Sequence, residues 1–397
     1  MISSLSYTKK DFLKTVISIY IPGFFIQLGT SLTVPFDPLY SHSLGASIGM
    51  IGLIAAALGI GRVIFDLPSG WIAGKINGKA FLILSAAMLS FSVFVKSFVQ
   101  TPVQLLIINI FIGMGNTSWG IGQLAYMQKN VSSNVRGKSL AFMGGIFRTT
   151  SIISPILGGF LIKFFGFRLI YRIQGILVLL ALLSTIFLIK KVPITKKKTE
   201  KPYLIIKKTF KENGKNIAIA MLGIAGLQIL RMSRNLLFPI WASHIGISIE
   251  IIGMLSTISG LIETLMAIPD GIVMDRYGRK FIAVPCIIGL GISLSLLSLT
   301  SEIIGLTIIT ILMSVANGFG SGINMTISTD LAPAGAVTEF LGIWRVTSDS
   351  SQITAPMIAG AIAQTFTLAI SPCIAGILGI VAGFIIFFGM KETKKFY

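Results

Sequence analysis

Eight ionisable side chains stand in otherwise apolar surroundings: Arg62, Asp66, Arg148, Arg231, Arg234, Glu263, Arg345 and Asp349. Charge in such a setting is costly and defaults to a functional role. Arg62 and Asp66 are four residues apart, as are Arg345 and Asp349, so each pair shares one face of a helix. Run antiparallel, those two helices bring opposite charges level, which gives crossed pairs Arg62–Asp349 and Asp66–Arg345. Arg148 lies 11 residues beyond Gly137, and Glu263 lies 12 residues before Asp275. At ~1.5 Å per residue both sit about 17 Å deep, which suggests a third pair. Such pairs can be static staples or a lock that protonation or substrate loosens. If a proton is carried, Glu263, Asp349 and Asp66 are the carboxylates available.

Arg231 and Arg234 are left without an acid at their level. They lie 14 and 17 residues past Ile217, the expected start of their helix. At ~1.5 Å per residue that is near mid-membrane. One reading has them bonded to backbone carbonyls or to Asp37. The other is an anion site, because a guanidinium meets carboxylate or phosphate through two parallel bonds.

The elements that must position these groups follow from composition. Hydrophobic residues make up 53% of the chain and charged ones 12%. A soluble domain carries about 25% charge, so lipid is the expected solvent here. Apolar runs long enough to span a bilayer fall near 14–36, 48–73, 80–99, 103–126, 138–162, 169–190, 217–241, 249–274, 280–300, 303–327, 338–363 and 370–390. The N-terminus has no small-residue cleavage site and is read as a retained first helix. With that terminus in the cytoplasm, only Lys96, Lys163, Arg168 and Arg172 of the 33 Lys and Arg fall in outside loops. The net charge of +19 is thus a topology signal, and nucleic-acid binding is not needed to explain it. Both termini are expected in the cytoplasm, in a plasma or inner membrane. Cys286 and Cys373 are too isolated for a disulfide or metal framework. There is no P-loop, metal-ligand spacing or nucleophile elbow, so neither an enzyme nor a cofactor is expected.

The chain also repeats itself. Pro68 and Gly70 fall 201 positions before Pro269 and Gly271, and the same offset pairs Gln27 with Gln228, Gly45 with Gly246, Gly52 with Gly253 and Pro155 with Pro356. Two copies of one unit are therefore expected. At the end of the eighth run stands GIVMDRYGRK, residues 271–280. It resembles the loop signature of the major facilitator superfamily, through Gly271, Asp275, Arg276, Gly278, Arg279 and Lys280. The earlier copy begins at Gly70 but has Gly74 in place of the Asp and Asn77-Gly78 in place of Gly-Arg.

This resemblance implies an all-α membrane protein of twelve helices in two pseudo-symmetric six-helix bundles. They would span 1–190 and 217–397, joined by a basic cytoplasmic linker at 191–216. It also implies that helices 1, 4, 7 and 10 line a central cavity, and that helices 2 and 11, and helices 5 and 8, meet across the two halves, as the three ion pairs require. Polar residues there are Gln27 and Thr30 on the first, Asn116, Trp119 and Gln123 on the fourth, Gln228 with Arg231 and Arg234 on the seventh, and Asn317 and Asn324 on the tenth. Plain hydrogen bonds between helices would fit at least half of them as well. The fifth helix, with Ser154-Pro155 and Gly158-Gly159, resembles an antiporter signature of the same superfamily. The expected function is secondary transport, as proton-coupled efflux of small amphiphilic compounds by a monomer in the lipid bilayer. An organic-anion importer or symporter using Arg231 and Arg234 is the alternative, and a non-transporting receptor or scaffold is a third class.

Overall fold

The computed structural model describes residues 9–130, 133–189, 202–333 and 335–393. Residues 191–201 of the linker and the tail lysines Lys394 and Lys395 lie outside that set. Among the described residues the structure is all helical. The order is α1 (Lys9–Thr33), α2 (Asp37–Ser43), α3 (Ile48–Lys75), α4 (Gly78–Lys96), α5 (Pro102–Asn130), α6 (Ser133–Phe165), α7 (Phe167–Leu188), α8 (Pro202–His244), α9 (Ile249–Tyr277), α10 (Arg279–Ser295), α11 (Ile303–Gly318), α12 (Ile323–Leu331), α13 (Val337–Thr365) and α14 (Ile370–Gly389). Eleven helical stretches are long and apolar enough to cross a membrane. The more polar α13, at 29 residues, is the twelfth. Large apolar side chains face outward, as Phe91 at 71% and Phe187 and Phe388 at 79% exposure show. Water would not tolerate that many, whereas lipid does.

Two expected boundaries are corrected. The seventh segment does not begin near 217. α8 starts at Pro202 and runs unbroken into the membrane, so the second half of the linker extends that helix. The tenth segment is not continuous over 303–327. It breaks between Gly318 and Ile323 into α11 and α12. Gly318, Gly320 and Gly322 stand at this break, and each glycine inside a helix costs about 1 kcal/mol relative to alanine.

The chain folds into two compact units. One falls within Met1–Val34 and Ile60–Lys196, the other within Pro35–Gly59 and Lys197–Tyr397. The second unit thus takes in α2 and the first half of α3, short of the 190/217 division expected from sequence. Glycines explain the affiliation. A Cβ on Gly52 would meet the Pro356 carbonyl at 2.4 Å, and the Gly49 N–H donates to Gln364 Oε1 at 3.2 Å. Only a helix without side chains on that face comes so close.

Each unit is packed the same way. In the first, α1 packs on α6 and α7, and α4 packs on α5 and α7. In the second, α8 packs on α13 and α14, and α10 packs on α11 and α14. The repeat extends to helix ends. Gly45 and Gly246, 201 residues apart, both have positive φ, at 85° and 79°. Beyond them the Ala46 N–H reaches the Ser41 carbonyl at 3.2 Å and the Ile247 N–H reaches Ala242 at 2.9 Å. These are the same Schellman ending, written twice.

Close crossings also set what each position tolerates. A Cβ on Gly61 would fall 2.0 Å from the Ile110 carbonyl oxygen, whereas one on Gly70 would meet nothing within 4 Å. Gly61→Ala should therefore cost about 1–3 kcal/mol through overpacking, and Gly70→Ala far less. Thermal unfolding of the two purified variants checks this, and equal melting temperatures would refute it.

Candidate functional site

The expected polar residues fall into two groups, one in each unit. In the first unit, Gln27 donates to Ser31 at 3.2 Å and Thr30 to the Ile26 carbonyl at 2.9 Å, both within α1. Trp119 and Gln123 are buried on α5, and Gln123 donates to the Met143 sulfur at 3.1 Å. Asn116, half-buried, lies one turn before them. Asp66 accepts a hydrogen bond from the Thr117 hydroxyl. Arg62 on α3 and Arg148 on α6 are both partly buried.

The second unit holds a denser cluster, built from α8, α9 and α11. Arg234 Nη1 lies 2.7 Å from Glu263 Oε1. The same carboxylate oxygen accepts from the Ser259 hydroxyl at 3.2 Å, and Ser314 donates to Ser259 at 2.7 Å. Arg231 uses its whole fork. Nε donates to Asn317 Oδ1 at 2.7 Å, Nη1 to Gln228 Oε1 at 3.2 Å and Nη2 to the Gly320 carbonyl at 2.8 Å. Gln228, Arg231 and Arg234 share a face of α8 because they are three residues apart.

This arrangement corrects one expectation. Arg234 is not left without an acid, while Arg231 is bonded by three neutral oxygens. Glu263, expected to meet Arg148, is bonded by Arg234 of its own unit. Asn324 turns to α13, accepting from Trp344 Nε1 at 2.8 Å and donating to Ser348 at 3.4 Å. On α13, Asp349 is buried and accepts from Gln352 at 2.9 Å, while Arg345 is exposed.

The loop signature forms a separate cluster at the end of α9. Arg279 Nε donates to Asp330 Oδ2 at 2.7 Å, and Nη1 to the Met274 carbonyl at 3.0 Å and to Asp275 at 3.4 Å. Gly278 has φ 107°. Arg276 lies over the Tyr277 ring, and Lys280 over Phe387. The Glu392 carboxylate accepts the N–H groups of Arg279 at 2.9 Å and Lys280 at 3.0 Å, which caps α10. The departing first copy has its own solution. Asn77 caps α4 by accepting the Lys79 N–H at 2.9 Å, and Lys79 Nζ donates to the Ile186 carbonyl near the end of α7 at 2.6 Å. Gly70 and Gly271 are in open space, so packing within the described residues does not explain them.

Sequence reasoning missed Asp330, Glu392 and the buried Asp270. Asp270 sits in Pro-Asp-Gly, which reads as a turn and draws it into the loop. Its place inside the eighth apolar run was the signal available. Among the described residues no cluster of His, Cys, Asp and Glu could hold a metal ion.

Known proteins place this architecture. A family model described as Major Facilitator Superfamily matches residues 19–236 and 220–396. An uncharacterized MFS-type transporter of Methanocaldococcus jannaschii is 22% identical over 380 residues, 94% of this chain and 97% of that protein. The multidrug resistance protein MdtG of Yersinia enterocolitica is 25% identical over 188 residues, 46% of this chain and 45% of its own length. The quinolone resistance protein NorA of Staphylococcus aureus is 26% identical over 176 residues, 44% of this chain and 45% of its own. These last two alignments span less than half of each relative. Among solved structures, a bacterial homolog of the human lysosomal transporter Spinster superposes with TM-score 0.80 at 11% identity, covering 96% of this chain and 97% of that one. A D-xylose-proton symporter superposes at 0.76 with 16% identity, covering 96% and 98%. With the family model spanning both units and eleven helices among the described residues long and apolar enough to cross a membrane, this chain is a multi-pass membrane transporter and belongs to the major facilitator superfamily.

Proposed function

We propose that the protein is a proton-coupled exporter of small amphiphilic compounds, working as a monomer in the cell membrane with both termini in the cytoplasm. The observation that carries this reading is the Arg234–Glu263 pair, which joins α8 to α9 in the second unit. A carboxylate held by one guanidinium can release it when protonated, so proton binding and the state of the pair are linked. Arg231, Arg234, Glu263 and Asp270 together carry no net charge, which suits a neutral or weakly cationic amphiphile better than an anion. The partial similarity to MdtG and NorA, whose names state drug resistance, supports the same direction. So does the antiporter-like Pro155 and Gly158-Gly159 of α6. What weighs against the importer reading is that Arg234 is paired with Glu263 and Arg231 is bonded by three protein oxygens.

The test is ethidium transport in inverted membrane vesicles, with and without an imposed pH gradient. The wild type should accumulate ethidium only with the gradient. Glu263→Gln should abolish the gradient's effect, while Glu302→Gln, far from the pair in sequence and at the start of α11, should leave it. Gradient-driven transport that persists in Glu263→Gln would remove Glu263 as the proton carrier.

A further inference from the structure

The unassigned group with the clearest geometry is Asp270 on α9. It is 2% exposed. Its Oδ2 accepts from the Ser321 hydroxyl at 3.3 Å and from the Gly322 N–H at 3.2 Å. Both residues lie in the break between α11 and α12. One residue earlier, Arg231 donates to the Gly320 carbonyl at 2.8 Å. Three successive residues of the break are therefore gripped from two helices, an acid holding the donors and a base holding the acceptor.

The physics of a broken membrane helix explains why charged groups do this. A break leaves N–H and C=O groups without helical partners, and lipid cannot supply any. A carboxylate against the Gly322 N–H also meets the positive end of α12. The break has no slack on its other side. A Cβ on Gly320 would fall 2.3 Å from Cys286 Sγ, so the thiol is sealed against the backbone. One turn before Gly320 stands Asn317, which accepts from Arg231 Nε at 2.7 Å. Arg231 thus touches both Asn317 and the break, and its orientation depends on where the break holds Gly320.

We infer that Asp270 is a positioning residue for transport: it holds the α11–α12 break and thereby fixes Arg231 and Asn317 beside the Arg234–Glu263 pair. The inference rests on the reading of that pair as part of the transport site. Its first test does not depend on any substrate. In a Cys373→Ser background, alkylation of Cys286 by N-ethylmaleimide reports whether the break has opened. Asp270→Asn should speed labelling by about tenfold, as expected when a charge-assisted bond to the break is weakened. Ser321→Ala, which removes one hydroxyl and no charge, should speed it less. Arg231→Gln should act in the same direction as Asp270→Asn. The second test is ethidium transport. Asp270→Asn should raise the half-saturating concentration more than it lowers the maximal rate, and Asp270→Glu should recover part of the loss. Unchanged labelling in both Asp270→Asn and Ser321→Ala overturns the proposal. So does faster labelling with an unchanged half-saturating concentration. If Asp270→Asn does not fold, Ser321→Ala decides by the same criteria. If the wild type moves no ethidium, the exporter reading fails and the labelling result alone decides the role of Asp270.

Discussion

Arg234→Ala is expected to be among the most damaging single substitutions in the second unit. Arg234 and Glu263 are 17% and 26% exposed at their side chains, and their closest atoms are 2.7 Å apart. Removing one partner of a buried pair strands the other charge and costs about 3–5 kcal/mol, and the residual exposure argues for the lower end. Ser259 also bonds Glu263, but a hydroxyl does not neutralise it. The double variant Arg234→Ala with Glu263→Ala should recover much of the loss, because no uncompensated charge remains. Unfolding of the purified variants in the same lipid–detergent mixture measures this. If Arg234→Ala were no more costly than Ser259→Ala, the pair would not be a stabilising feature of the unit.

That pair also shows where the sequence stopped being legible. Apolar runs, Lys and Arg placement and the 201-residue offset are one-dimensional signals, and they carried the twelve segments and the repeat down to Gly45 and Gly246. The partner of Glu263 is a two-dimensional question. Depth counted from a loop gives the level of a residue and says nothing of its direction around the helix. The count for Arg234 also had no firm origin, because it began at Ile217 and α8 begins at Pro202. Glu263 is therefore matched with Arg148 on level and on the meeting of helices 5 and 8 that the resemblance implies. The break at 318–322 was masked for a related reason. Its flanks are apolar enough to read as one span, and alternate glycines weigh less than the run around them. Asp330 and Glu392 were hidden by distance along the chain. They meet Arg279 from 51 and 113 residues away, which no local pattern reveals.

Charge balance in the same cluster leads to the last expected result. Arg231, Arg234, Glu263 and Asp270 make two cations and two anions. Glu263→Gln removes one anion and leaves a net positive site. A ligand charge about 7 Å away at an effective dielectric near 20 then feels roughly 2 kcal/mol of new potential. That is about a thirtyfold change in affinity, of opposite sign for a cation and an anion. Equilibrium binding avoids the loss of proton-driven transport that the same variant should show. Two aromatic amphiphiles of matched size, one bearing a trimethylammonium and one a sulfonate, serve as probes. Glu263→Gln should weaken the first and strengthen the second. Arg234→Gln leaves a net negative site and should do the reverse. An anion that already binds the wild type better than its cationic twin would restore the anion-site reading, with Arg231 as its centre.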